Sequence, residues 1–283
     1  MFPQLNFGQL RTFVAAAEQT SFVGASKTVN RSPAAISKQI QNLEETLGKE
    51  LFTRDTRRVY LTSYGERLLP YARQILQLER DAVSAVLSDE VTGKVVFGAP
   101  DEFVSSLLGP ALERFAQMYT QVDFELVCAE STALAPMLDS GSVDLAFVTR
   151  DKNLQGTFVR REAMVWVGCE RTPVWKKTPL PVALNEDGCV GRNHTLIALK
   201  KSKISYRAAY SSPSITGILA MIHAGLAIAA VPDCSVSGEL IRLGEAENLP
   251  VIKPIDLVLV KGANGNSQAA DYLANEIISS LGK

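Results

Sequence analysis

The sequence has 283 residues, 46% hydrophobic and 21% charged, the make-up of a globular protein long enough for two or three domains. A formal net charge of −1 excludes a general basic coat for nucleic acid, yet the charge is uneven: residues 1–62 carry 8 Lys+Arg against 5 Asp+Glu, the remainder 21 against 25. MFPQLNFGQLRTF has no basic segment followed by an apolar run, and no stretch of about 18 uncharged apolar residues exists, so neither a secretory signal nor a membrane span is expected. Cys128, Cys169, Cys189 and Cys234 are too scattered for a metal site with His194 and His223, so no metal or cofactor is expected, and the reducing cytoplasm is the natural compartment.

Asn6 to Gln19 reads as a helix with Leu10, Phe13, Val14 and Ala17 on one face. Ser21 caps a shorter helix through Val29, with Gly24 and Ala25 small enough for a close helix approach. Ser32 to Gly48 is the most fully marked stretch. Ser32 is a cap, Pro33 suits the first helical position and Gly48 suits a left-handed end. Ile36, Ile40, Leu43 and Leu47 form its apolar stripe. The other face holds Ala34, Ser37, Lys38 and Gln41, types suited to base edges and phosphates in a major groove. Alone, this is also an ordinary amphipathic surface helix. Its setting, after a capped partner helix and a tight turn, makes a helix-turn-helix.

Leu51-Phe52 and Val59-Tyr60-Leu61 read as strands around a turn with Arg54, Asp55, Arg57 and Arg58, a hairpin wing whose arginines suit phosphate or a narrow minor groove. Ser63-Tyr64-Gly65-Glu66 has the form of a capping box opening a helix to about Asp89. Its seam of Leu68, Ala72, Ile75, Ala82 and Val86, broken at Glu79, is too long to bury on a small winged domain, which predicts pairing with a second copy.

From Val91 strands alternate with helices: 95–99, 103–118, 122–128, about 134–140, then 145–149. A second set follows, with strands at 164–167, 182–184, 208–211, 226–231 and 255–260 and helices at 193–201, 215–224 and 269–281. This pattern predicts two α/β lobes with parallel sheets and a ligand cleft at the strand ends, the chain crossing near residues 162 and 262. The predicted division is 1–62, 63–90 and 91–283, with 91–162 and 263–283 in one lobe and 163–262 in the other.

The segments LRTFVAAAEQTSF, SPAAISKQIQNLEETLGKELFTRDTRRVYLTSYGERLL and GLAIAAVP resemble the LysR-type transcriptional regulators in order, spacing and length across nearly the whole chain. GAPDEF, REAMVWVG, EDGCVGR and SSPSITG look like a branch that includes motility and virulence regulators. The resemblance implies an all-α-type winged helix-turn-helix, a linker helix, and an effector domain of two α/β lobes like type 2 periplasmic binding proteins. It implies a homodimer or dimer of dimers on an interrupted palindrome of double-stranded DNA, a small-molecule effector, and RNA polymerase as a partner. Ser32, Pro33, Ala34, Ser37, Lys38 and Gln41 match the recognition-helix positions, and Arg54, Arg57 and Arg58 match the wing. Arg31 departs from the family pattern and is either a phosphate contact or solvated. Asp55 either weakens the wing or orients Arg57.

The effector positions that the resemblance implies are Pro100, Asp101 and Glu102, Ser131 and Thr132, Thr149 and Arg150, and Ser212, Pro213 and Ser214. Asp101 and Glu102 should repel an anion, so the effector is expected not to be a simple carboxylate, or to pair with Arg150 or Arg192. The alternative is that both acids only cap a helix and face solvent. Cys189 stands near the place of a reactive cysteine in a redox-sensing relative, without a nearby second cysteine; a small, partly buried residue is the alternative. A solute-binding protein or enzyme built on residues 91–283 is the other class. No GxSxG, P-loop or HExxH supports it, so catalysis is not expected.

Overall fold

The computed structural model describes residues 3–54, 59–87 and 91–282. The chain divides between Leu87 and Ser88 into two compact units.

The first unit contains α1 (Phe7–Gln19), α2 (Phe22–Thr28), α3 (Pro33–Leu47), β1 (Phe52–Arg54), β2 (Val59–Leu61) and α4 (Ser63–Leu87). The caps at Ser21 and Ser32 form as the sequence predicts, and Asn6, read as the first residue of the opening helix, is its cap instead. Asn6 accepts from the Gly8 and Gln9 N–H groups, Ser21 from Gly24, and Ser32 from Ala35 at 3.3 Å. Each such cap is worth about 1 kcal/mol. Gly48 closes α3 at φ 62°, a left-handed conformation that glycine adopts without steric cost. Ile36, Ile40 and Leu43 are fully buried with Leu10 and Phe13 of α1. Burying each of these side chains is worth roughly 1.5–3 kcal/mol. Phe52 joins this core through rings 5.4 Å from Phe13 and 5.8 Å from Phe22. Gly24 serves a different neighbour from the one expected. A Cβ there would lie 2.9 Å from Cβ of Gln19, so its smallness admits the end of α1.

The wing strands pair antiparallel with Phe52 opposite Leu61. Asp55, Arg57 and Arg58, expected at the wing tip, and residues 88–90, where the linker helix was expected to end, lie outside the described residues. The Ser63 capping box does not form. Thr62 is the cap instead: its hydroxyl accepts from the Gly65 N–H at 3.1 Å and donates to the Glu50 carbonyl at 2.7 Å. The wing thus anchors the start of α4, which lies in the first compact unit. Ala72 and Leu76 are buried, whereas Leu78, Val83 and Val86 are exposed. Glu79 interrupts the seam because it pairs with Arg11 of α1 at 2.9 Å; Arg73 pairs with Glu18 at 3.0 Å.

The second unit opens with β3 (Gly93–Ala99) and α5 (Asp101–Phe103), which continues through a π-type stretch at Val104–Leu108 into α6 (Gly109–Met118). β4 (Val122–Cys128), α7 (Ser131–Asp139), β5 (Leu145–Thr149), β6 (Thr157–Glu162), β7 (Met164–Cys169) and β8 (Leu180–Leu184) follow. Then come α8 (Val190–Lys201), β9 (Tyr206–Ser211), α9 (Ile215–His223), β10 (Ala229–Pro232), β11 (Leu240–Leu243), β12 (Ile255–Lys261) and α10 (Gln268–Leu281).

The main sheet has the order β4-β3-β5-β12-β6, and β3 pairs parallel with β4 and β5. Two corrections concern the rest. The sheets are mixed rather than wholly parallel, because β12 runs antiparallel to both β5 and β6, and β7 antiparallel to β10 and β11. β12 therefore belongs to the first lobe's sheet, so the chain returns before Ile255 and not near residue 262. The β6 and β11 strands were missed: TFVRRE carries three charges, and LIRL is only four residues long in a polar loop. β8 and β9 pair parallel, with Val182 also bridged to Ile228.

Gly65 is the tightest test of the α4–wing junction, since a Cβ there would lie 2.3 Å from the Leu51 carbonyl oxygen. Gly65→Ala should lower the stability of the first unit by about 1–3 kcal/mol through overpacking. Urea denaturation checks this as a reduced midpoint at unchanged slope.

Candidate nucleic-acid interface and effector cleft

Ala34, Ser37, Lys38 and Gln41 recur at helical spacing on α3, opposite its buried stripe. Ala34, Lys38 and Gln41 are exposed and Ser37 is half-buried; Arg31, Ser32 and Pro33 are exposed just before them. The face is held rigidly from behind. The Thr12 hydroxyl of α1 hydrogen-bonds Gln39, and Glu44 accepts from the Leu51 and Phe52 N–H groups at 2.8 and 3.2 Å, tying α3 to the wing. Ser32 is occupied as the cap, and the Gln41 amide donates to Glu45 at 2.8 Å. Arg54 ends β1, while Arg57 and Arg58 lie outside the described residues.

In the second unit, the ends of β3, β4, β5 and β8 surround a cleft. It is lined by Pro100, Glu102, Ser131, Thr132, Thr149 and Cys189 from the predicted set, and by Glu130, Asp151, Met164, Asn185, Gly188, Val190, Gly191, Ile215, Pro232 and Ile255. Its free space is ≈ 30 Å³, room for a small group only. The Thr149 N–H donates to the Ser131 hydroxyl at 3.1 Å, and Thr132 donates to Glu186 at 2.7 Å, so two cleft hydroxyls are fixed by the chain itself.

Six predicted residues do not line the cleft. Asp101 turns to α9, where Ser214 donates to it at 2.9 Å, and Ser214 in turn caps α9 by accepting from Thr216. Ser212 accepts from the Ser214 N–H at 3.1 Å and shapes that turn, in which Pro213 stands between them. Arg150 faces Asp256 at 3.9 Å and lies over the Phe158 ring at 5.7 Å. Arg192 donates to the Asn185 carbonyl at 2.6 Å and pairs with Asp187 at 2.8 Å. Neither arginine is therefore where the expected pairing with an anion would need it, and among the described residues no basic side chain lines the cleft.

The electrostatics are set by acids instead. Glu102 is 8% exposed and its Oε2 has no hydrogen-bond partner among the described residues, so the alternative in which it only faces solvent does not hold. Burial, with Glu130 beside it, pushes its carboxyl up to about 8 from an ordinary 4.5. Burial and the neighbouring Glu186 push Glu130 up to about 7. Carboxylate oxygens of Asp101, Glu102 and Glu130 lie within 4.8 Å of one another, a group able in principle to hold a cation. The sequence reading missed Glu130, although it directly precedes the predicted Ser131.

Burial also raises the Cys189 thiol, the opposite of what a reactive thiolate requires, so redox sensing there loses support. His194 Nδ1 is 2.9 Å from the Lys253 carbonyl oxygen, and its pKa is lowered mainly by burial.

A capped helix-turn-helix with a wing, joined to an α/β unit with a cleft at its strand ends, defines a ligand-responsive DNA-binding regulator. The comparisons agree. Residues 7–66 match the bacterial regulatory helix-turn-helix protein, lysR family, and residues 88–269 match the LysR substrate binding domain. The regulator DgdR of Burkholderia cepacia is 32% identical over 256 residues, covering 90% of this chain and 87% of its own. PecT of Dickeya dadantii is 28% identical, covering 98% and 87%. The solved structure of CrgA from Neisseria meningitidis shares the fold with a TM-score of 0.67 at 20% identity, covering 99% of this chain and 100% of its own. Vibrio fischeri DarR, solved in complex with DNA, shares it at 0.56 and 17% identity, covering 97% and 99%. The chain belongs to the LysR family: it is a DNA-binding transcriptional regulator with a substrate-binding effector domain, and not an enzyme.

Because folded Glu102 holds its proton while the unfolded chain ionises from about 4.5, the fold loses stability as pH climbs from about 4.5 to about 8. Glu102→Gln removes that loss. Melting curves should show the variant stabilised over wild type by several degrees at pH 8.5 and by much less at pH 5, with about 1 kcal/mol moving the midpoint by roughly 2–4 °C.

Proposed function

We propose that α3 lies in the major groove of an operator and reads it through Ala34, Ser37 and Gln41, with Lys38 on phosphate. Gln41 leaves Glu45 to reach a base edge, and Arg31, Ser32 and Pro33 sit where the helix meets the backbone. Arg54, Arg57 and Arg58 add wing contacts to phosphate or the minor groove. The single observation that carries this reading is the exposed polar face of α3 lying directly opposite its buried Ile36-Ile40-Leu43 stripe.

The protein acts as a homodimer or dimer of dimers on an interrupted palindrome. The exposed apolar residues of α4, Leu78, Val83 and Val86, support pairing with a second copy. The effector enters the cleft beside Pro100, Glu102, Ser131, Thr132, Thr149 and Cys189. It switches the protein by binding one arrangement of the chain better than another. Asp101 links the first lobe to the start of α9 through Ser214, a contact that such a switch would make or break. Contact with RNA polymerase and work in the cytoplasm, where the chromosome lies, complete the proposal on the strength of the family's role. Among the described residues no helix is long and apolar enough to cross a membrane.

Lys38→Ala should weaken operator binding several-fold and reduce the salt slope by about 1, without loss of fold. Gln41→Ala should instead relax preference at one base position, by about 1–3 kcal/mol. Fluorescence anisotropy on the operator at several salt concentrations checks both, and unchanged Lys38→Ala binding contradicts the assigned face.

A further inference from the structure

The cleft holds buried carboxyl groups to which its own walls, among the described residues, bring no cation. We propose that the effector presents an ammonium group, seated against Glu102 and Glu130, with a short apolar body on the opposite wall. The inference rests on the reading of this cleft as the effector site.

Three observations carry it. Glu102 is 8% exposed, lines the cleft, and leaves Oε2 without a partner among the described residues. A buried carboxylate is costly unless a hydrogen-bonding cation meets it. Oxygens of Glu102, Glu130 and Asp101 converge within 4.8 Å, a spacing that three N–H donors of one ammonium can span. Arg150 and Arg192, the two basic residues expected at this cleft, are engaged with Asp256 and Asp187.

The remaining wall decides between cations. Met164, Ile215 and Ile255 offer hydrocarbon and thioether beside the oxygens of Ser131, Thr132, Thr149, Asp151 and Asn185. Calcium seeks six to eight oxygens and magnesium an octahedron with several retained waters, and neither makes use of the apolar wall. An alkylammonium matches both halves. Asp101 contributes from the edge, since one of its oxygens already takes the Ser214 hydroxyl. Burial pushes Glu102 up to about 8 and Glu130 up to about 7, so without a cation both hold protons near neutrality, and an incoming ammonium favours their ionised forms.

The test is calorimetric titration of the full chain at pH 8 in a buffer free of primary amines. The probes are propylammonium chloride, sodium propionate, calcium chloride and magnesium chloride. Propylammonium should bind with one site per chain and propionate should not. Glu102→Gln should weaken propylammonium at least 10-fold while its circular dichroism stays that of wild type. Glu130→Gln serves as a second variant with the same expected loss should Glu102→Gln not fold. Silence of propylammonium overturns the inference, as does calcium or magnesium binding in its place. Propionate binding that Thr132→Ala weakens overturns it too, while keeping the cleft as an effector site. Propylammonium binding indifferent to Glu102→Gln, Glu130→Gln and Thr132→Ala refutes the cleft itself as the site. Operator binding, measured separately, stands or falls on its own.

Discussion

A helix can offer side chains to a groove of DNA only if something holds its other face. In this protein that constraint falls on Ile36, Ile40 and Leu43, which are fully buried against α1. Everything around α3 serves the same end. Ser32 and Gly48 fix where it starts and stops. Thr12 and Gln39 pin it to α1, and Glu44 clasps the backbone of the wing. The wing base in turn caps α4 through Thr62. The polar face is therefore presented by a single packed unit, so the orientation of Lys38 and Gln41 is a consequence of core packing. Surface ion pairs such as Arg11–Glu79 add little beside this, at about 1 kcal/mol or less.

The effector unit works from the opposite principle. Its cleft is defined by what burial leaves unsatisfied. Strand ends and helix starts converge there, as in other open α/β sheets, but with acids where an anion site would need donors. Asp101 spans from the end of β3 to the cap of α9, so the same short acidic segment both shapes the cleft and joins its two sides. A group that neutralises Glu102 alters a contact network reaching from α5 to α9, a physical route by which a small ligand changes the balance between arrangements.

Much of this was legible in the residues themselves. The caps at Ser21 and Ser32, the apolar stripe of α3, the two wing strands and most strands of the effector unit follow from periodicity and local turn chemistry, which depend on neighbours in sequence. The failures depend on neighbours in space. Thr62 rather than Ser63 caps α4 because only Thr62 also reaches the Glu50 carbonyl. The antiparallel course of β12, and hence the return of the chain before Ile255, is a matter of pairing partners that no single segment encodes. In the cleft, Glu102 was readable as a strand-end residue but its burial was not. Arg150 and Arg192 were readable as cations but not as partners of Asp256 and Asp187. Glu130 carried a sequence signal, its place directly before Ser131, but no sign of the charge it would share.

If α3 reads DNA as half of a two-fold reader, the bound sites must show that symmetry. Genome-wide mapping of bound sites tests it most directly, with wild type set beside Lys38→Ala. Wild type should occupy a limited set of sites sharing an interrupted inverted repeat, with occupancy lost across all of them in Lys38→Ala. Recovery of DNA without a shared motif, or the same sites at the same occupancy in the variant, would contradict it.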